Sequence, residues 1–230
     1  MIKAVLLDAI DTIFRPYPDK INMYRRSIKK VSNMDISYEK MALVWNEIVS
    51  TTEEEAAREM NPGGALAWDG FNQKIMELLD YKGDTVEAGS KLLYEAWSNP
   101  ENFTLYDDVI PALKILREKP IVIACASNEN KGLYNFFTHF KIAKFFDHII
   151  ISEELGVEKP NLYFFKKALA RVGVGPEKSL HVGDSLISDY NGAEKAGLQA
   201  VLIDRTDKKL ENNNIVKIKS LVEIERFLGK

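Results

Sequence analysis

The stretch Met1-Ile2-Lys3-Ala4-Val5-Leu6-Leu7-Asp8-Ala9-Ile10-Asp11-Thr12 decides how the rest of the chain is read. Ile2 to Leu7 is a short apolar run without helical polar periodicity, so it reads as a buried strand with Asp8 at its carboxyl end. Working outward, similar runs predict strands at Ile121–Ala126, His148–Ser152, Ser179–Val182 and Ala200–Ile203. Helical periodicity between and beside them predicts helices at Pro111–Glu118, Lys131–Phe140, Leu162–Val172 and Ile187–Ala196. Strands alternating with helices imply right-handed crossovers and an α/β fold. Its parallel, Rossmann-like sheet would carry helices on both faces.

After the first strand, no second core strand is predicted until past position 118. Residues from about Lys20 to about Ser98 show helical periodicity instead, broken by turn chemistry at Asn61-Pro62-Gly63-Gly64 and Asp80-Tyr81-Lys82-Gly83-Asp84. The simplest organisation is a smaller all-helical cap domain, residues 15–103, inserted into a core made of residues 1–14 and 104–230. Linkers would lie near Phe14–Asp19 and Asn99–Thr104. Trp45, Trp68, Phe71 and Trp97 sit within the helical periodicity and read as core packing of the inserted domain.

A chain of 230 residues buries a substantial core, and 46% hydrophobic with 28% charged residues is ordinary for a globular protein. No apolar run is long enough to span a bilayer, and the amino terminus lacks the pattern of a secretory signal, so a cytoplasmic protein is expected. Cys125 is the only cysteine and lies inside an apolar run, which makes it a buried spectator. A formal net charge of −3 with dispersed Lys and Arg speaks against nucleic acid or anionic lipid as a partner. The densest basic cluster, Arg25-Arg26 with Lys29-Lys30, reads as the wet face of a helix, with reception of an anionic substrate as the alternative.

Ligands of an open parallel sheet bind beyond the carboxyl ends of its strands, and four groups of residues fall there. They are Asp8 to Thr12; Ser127-Asn128; Lys159-Pro160; and Gly183-Asp184 with Asp189. Singly, each has a plain explanation as a helix cap or a turn. Together they put three carboxylates, a lysine and two small polar side chains at one sheet edge. Carboxylates that close raise one another's pKa unless a cation lies among them, and Mg²⁺ with few protein ligands is the natural occupant. Lys159 adds positive charge, and Ser127 and Asn128 add hydrogen-bond donors. Such a site suits a small anionic substrate under attack by Asp8.

The order Asp-x-x-x-Thr at Asp8 to Thr12, Ser127-Asn128, Gly-x-x-Lys-Pro at Gly156 to Pro160, and Gly-Asp-x-x-x-x-Asp at Gly183 to Asp189 resembles the four motifs of the haloacid dehalogenase superfamily. The resemblance implies Asp8 as nucleophile, Thr12 and Ser127 as binders of the transferred group, and Lys159 as the residue that steadies charge. It also implies Mg²⁺ held by Asp8, Asp184, Asp189 and the backbone carbonyl of Ile10.

Phosphatases of that superfamily carry a second aspartate two residues after the nucleophile, where this chain has Ile10. Isoleucine moves no proton, and general acid/base help is worth roughly 10² to 10⁴-fold, so substrates with good leaving groups are expected. Asp11 is one position along and is the candidate substitute, although an extended backbone would point it away from position 10. Haloacid dehalogenases also lack the second aspartate, but they are metal-independent, have Ser-Asn where Gly183-Asp184 stands, and use an arginine for the halide. Phosphonoacetaldehyde hydrolases need a cap lysine, for which Lys20, Lys29 and Lys30 are candidates. The combination most resembles members named only as dehalogenase-like hydrolase domain proteins. A metal- or phosphometabolite-binding module without catalysis is the remaining alternative.

Overall fold

The computed structural model describes residues 1–59, 65–205 and 214–229, with side chains at 51–59 and 65–69 left aside. The turn expected at Asn61 to Gly64 and the side chain of Trp68 lie outside the described residues. The chain divides into two compact units, Met1–Arg15 with Leu105–Lys230, and Pro16–Thr104.

The first unit is built on a six-stranded sheet. Its strands are β1 (Ala4–Leu7), β4 (Val122–Ser127), β5 (His148–Ile151), β6 (Ser179–Gly183), β7 (Gln199–Ile203) and β8 (Lys217–Ile218), in the spatial order β5-β4-β1-β6-β7-β8. Every neighbouring pair is parallel, with Leu7 opposite Cys125 on one side and Val182 on the other. The chain runs outward from β1 through β4 to β5, then returns to the far side of β1 with β6. Asp8 therefore leaves the central strand at a point where the strand order reverses, the place where sheets of this kind open a crevice.

The alternation along β1 buries both faces. Ala4 and Leu6 pack with Phe164, Phe165 and Ala168 of helix α8 (Leu162–Val172), while Val5 and Leu7 are equally buried on the opposite side. Cys125 is fully buried, and burial raises its thiol pKa well above the ordinary value. Two further strands, β2 (Phe14–Pro16) and β3 (Phe103–Leu105), pair where the chain leaves and re-enters the first unit. One predicted helix differs. Ile187–Ala196 is a wide π-type turn over Leu186–Asn191 followed by a short α-helix, Gly192–Lys195.

The second unit contains helices α1 (Lys20–Ser32), α2 (Tyr38–Glu59), α3 (Ala65–Leu78) and α4 (Thr85–Trp97). Asp19 and Asp84 cap α1 and α4, each accepting from backbone amides of the first turn. Around buried Tyr24 stand Trp45 at 5.2 Å and Trp97 at 6.3 Å between ring centroids, and the Trp97 indole donates to the Tyr24 hydroxyl at 2.8 Å. Phe71 packs on Trp45 at 5.4 Å. A side chain at Gly89 would meet the Gln73 backbone at 2.6 Å, so glycine is what lets α4 approach α3. The basic cluster is occupied within this unit. Arg25 donates to the Ile36 carbonyl, Arg26 to the Tyr17 carbonyl, Lys29 pairs with Asp35 and Lys30 with Glu95. No helix among the described residues is long and apolar enough to cross a membrane.

Candidate active site

The Asp8 amide continues the sheet ladder by donating to the Val182 carbonyl at 2.9 Å, which fixes its side chain at the carboxyl edge between β4 and β6. Its Oδ1 accepts from the Ser127 hydroxyl at 2.9 Å and from the Lys159 ammonium at 2.6 Å. The same ammonium donates to Asp189 Oδ1, also at 2.6 Å. All four side chains are buried.

Burial alone would drive the Lys159 pKa down, but Asp189 and Asp8 outweigh it and hold the ammonium charged well above its ordinary range. Asp189 is the converse. Burial pushes its carboxyl up, and Lys159 with His181 pulls it far below the usual carboxylate range. Since Asp189 is ionised it can only accept, so His181, 2.9 Å away on β6, carries its proton on Nε2. The other Asp189 oxygen accepts from the Ser185 amide at 3.0 Å. Both oxygens are thus engaged. Gly183 makes room for this, because a Cβ there would lie 2.2 Å from the Asp189 carboxyl carbon.

Asp184 follows β6 and completes the acidic group, with ligand oxygens of Asp8, Asp184 and Asp189 all within 4.8 Å of one another. Burial, then the charges of Asp8, Asp189 and Asp11, push its pKa up to about 8. Asp8 is raised as well, burial being the largest cause and Lys159 opposing it. Three carboxylates against one ammonium leave two negative charges. That balance, together with the strained Asp184, fits a divalent cation.

The remaining predicted residues have the following partners. Asn128, expected to offer its amide to substrate, grips the backbone of Lys159: Lys159 N donates to its Oδ1 at 2.7 Å and its Nδ2 donates to the Lys159 carbonyl at 2.9 Å. It is a clamp for the lysine. Thr12, expected to bind the transferred group, has a fully buried side chain whose hydroxyl has no hydrogen-bond partner. Its carbonyl is the engaged atom, accepting from Arg205 at 2.7 Å. Ile10 is partly exposed, and its carbonyl takes no part in the hydrogen bonds that close the Ala9–Phe14 loop. Asp11 adopts φ 58°, the left-handed region that Asp tolerates better than most residues. This breaks the extended alternation, and its charge acts on Asp184 and on Tyr106.

Sequence reading missed His181, Tyr106 and Arg205, and also Glu129, whose carboxyl is pushed up to about 8 by burial and by Asp8. A histidine inside a buried strand was the one signal available for His181. Glu129 directly follows Ser127-Asn128, yet nothing in its type distinguishes it from a solvated loop residue.

A parallel sheet with this acidic group and a buried lysine at its carboxyl edge defines the class: a Rossmann-like α/β protein with its chemistry at the strand ends. Comparison with known proteins supplies the family. The family model for haloacid dehalogenase-like hydrolases matches residues 2–197, and the chain belongs to that family. Glyceraldehyde 3-phosphate phosphatase of Methanopyrus kandleri is 30% identical over an alignment of 250 positions, spanning 100% of both chains. Phosphoserine phosphatase of Thermus thermophilus is 30% identical over 168 residues, covering 70% of this chain and 68% of that one. Among solved structures, the magnesium-bound HAD-hydrolase YfnB of Bacillus subtilis superposes with a TM-score of 0.83 at 20% identity, covering 100% of this chain and 99% of that one. At that identity the likeness is one of fold.

Proposed function

We propose that the protein is a Mg²⁺-dependent phosphatase that transfers the phosphoryl group of a small phosphorylated metabolite to Asp8 and then to water. The observation that carries this reading is the state of the Asp8 carboxylate. Oδ1 is held by Ser127 and Lys159, which leaves Oδ2 as the oxygen for attack. Asp8, Asp184 and the Ile10 carbonyl would hold Mg²⁺, which supplies Lewis-acid neutralisation of phosphoryl oxygens when bound. Asp189 orients Lys159 through Oδ1, and Oδ2, which accepts only from the Ser185 amide, keeps a lone pair for the metal. Thr12, whose hydroxyl has no protein hydrogen-bond partner, stays with Ser127 as a binder of the transferred group.

In the first step Oδ2 of Asp8 attacks phosphorus, and the bond to the leaving oxygen breaks with its electron pair. Lys159, charged throughout, stabilises the carboxylate and the transferred group. Ile10 provides no proton to the departing oxygen, so acyl and aryl phosphates react faster than alkyl esters. Water then attacks phosphorus, the bond between Asp8 Oδ2 and phosphorus breaks with its electron pair returning to the carboxylate, and the proton lost by the water balances the one the departing oxygen takes up from solvent. The names of the two relatives put glyceraldehyde 3-phosphate and phosphoserine in the first set of compounds to try, both as alkyl phosphates. Asp184, where dehalogenases of the superfamily have asparagine, favours phosphoryl over halide chemistry.

The test is a screen with and without Mg²⁺ over acyl phosphates, aryl and alkyl phosphate esters, phosphonates and 2-haloacids, joined to acid-quench trapping of a phosphorylated Asp8. Metal-dependent phosphate release with label on Asp8 is the expected result. Halide release without metal would transfer the protein to the dehalogenases, and tight binding without turnover or label would make it a binding module.

A further inference from the structure

Arg205 lies just beyond β7, with its side chain only 11% exposed. Its guanidinium makes a two-pronged pair with Asp108, Nη1 to Oδ2 at 3.0 Å and Nη2 to Oδ1 at 3.1 Å. The same Nη2 donates to the Thr12 carbonyl at 2.7 Å, and the group stacks 3.7 Å from the centroid of the Tyr106 ring. Asp108 is itself anchored by the Leu221 amide at 2.7 Å. Three partners on two separate segments thus meet one planar cation, which matches the fixed fork of arginine and would not suit lysine.

What Arg205 holds is the loop that carries the site. Within residues 9–14 the Ala9 carbonyl accepts from Ile13 and Phe14, the Phe14 carbonyl from Asp11, and the Ile13 carbonyl from Tyr106. Thr12 is tied from outside the loop by a charged side chain remote in sequence. Between this tie and the Asp8 ladder bond lie the Ile10 carbonyl and Asp11. Without the Arg205 tie the outer part of the loop is held from outside only by the 3.2 Å Tyr106–Ile13 bond, and a shift of those atoms by an ångström or so costs a positioned group roughly 10²-fold in rate.

We propose that Arg205 is a positioning residue: through the Thr12 carbonyl, Asp108 and Tyr106 it holds the loop after β1 in the geometry that presents the Ile10 carbonyl and Asp11 beside Asp8. Its kinetic consequence rests on the phosphatase reading, whereas its structural consequence does not. A salt bridge that served stability alone would loosen the whole first unit when broken. A positioning residue loosens one loop.

The experiment compares wild type with Arg205→Lys, which keeps the charge but loses the fork, and Arg205→Ala with and without added guanidinium. Hydrogen exchange by mass spectrometry, Mg²⁺ affinity by calorimetry, and kcat and KM on an aryl phosphate are read on each. For Arg205→Lys, exchange should rise in peptides spanning residues 8–14 and stay unchanged in those spanning β4. Mg²⁺ should bind several-fold more weakly, and kcat should fall by roughly 10²-fold with little change in KM. Guanidinium should recover part of the Arg205→Ala loss where sodium at equal ionic strength does not. Unchanged exchange at residues 8–14, or exchange rising equally across the core, overturns the proposal. If Arg205→Ala fails to fold, the Arg205→Lys exchange pattern decides. A wild type without phosphatase activity whose loop exchange still responds would sink the proposed function and leave the positioning role standing.

Discussion

Asp184→Asn tests the electrostatics of the site most directly, because it removes one charge and almost no volume. With ligand oxygens within 4.8 Å, a pair of these carboxylates repels by about 3 kcal/mol at an effective dielectric of about 20. Asp184 is partly open to solvent, and screening reduces the gain from removing it to on the order of 2 kcal/mol. Its pKa stands at about 8 in the folded, metal-free protein, against an ordinary value of 3.8. Between roughly pH 4 and 8 the folded state therefore keeps a proton that the unfolded chain has already released. The associated stability is complete below that window and is lost as pH rises through about 8. Metal-free Asp184→Asn should lack this part of the pH slope and, at pH 8, melt about 4–8 °C above metal-free wild type. Mg²⁺ at about a hundred times its dissociation constant adds about 2.7 kcal/mol to whatever binds it, or roughly 5–10 °C. Wild type should show that gain, and the variant should show almost none. The assay is thermal unfolding across pH 4 to 9 with and without Mg²⁺, with calorimetric titration of the metal. Equal Mg²⁺ shifts in the two proteins, or identical metal-free slopes, would refute both the ligand assignment and the account of the crowded carboxylates.

Three further outcomes follow from the same geometry. Ile10→Asp should raise turnover of alkyl phosphates by up to roughly 10² to 10⁴-fold and flatten the dependence of rate on leaving-group pKa across an aryl series; equal slopes would show that another carboxyl, Asp11 or Glu129, already supplies the proton. Lys159→Met leaves Asp8 and Asp189 without their shared cation and should cost about 3–5 kcal/mol in urea unfolding; an unchanged midpoint would mean that the ion pairs balance nothing. Gly183→Ala drives a Cβ to within 2.2 Å of the Asp189 carboxyl and should destabilise by about 1–3 kcal/mol while abolishing phosphate release, so native activity in this variant would show that Asp189 can move freely.

The frame of the first unit was legible because burial on both faces leaves uninterrupted apolar runs, and a helix such as Leu162–Val172 carries a clean period that matches the structure at both ends. The short strands β2, β3 and β8 were not, since two or three residues display no period. Ile187–Ala196 was expected as a regular helix. Its first turns widen because Asp189 points inward to Lys159 and His181 while the Ser185 hydroxyl accepts from the Ser188 amide, and no apolar spacing encodes that competition. At the site, motif order brought Asp8, Ser127, Lys159 and Asp189 to attention, and the structure joins these four by hydrogen bonds. Asn128 and Thr12 show what residue type leaves open. A side-chain amide and a backbone carbonyl can each be claimed by a partner far along the chain, and residue type alone does not say which of a residue's polar atoms is used.

The same ambiguity bears on how Lys159, more than Asp8, comes to organise the site. Asp8 is located by the sheet itself, through one ladder bond that any residue after β1 would make. Lys159 lies in an irregular segment between a short helix at Ser152–Leu155 and α8, where no ladder or helical bond sets its backbone. Its ammonium must nonetheless reach two carboxylates at 2.6 Å from a buried position, and an error of an ångström would leave a charge uncompensated at a cost of several kcal/mol. The two Asn128 bonds provide the missing backbone constraint, and Asn128 is itself fixed because it follows Ser127 at the end of β4. The sheet thus positions the lysine indirectly, through the residue next to the one that touches Asp8. This makes the Ser-Asn pair a single device, with the hydroxyl holding the Asp8 carboxylate and the amide holding the backbone of the lysine that pairs with it.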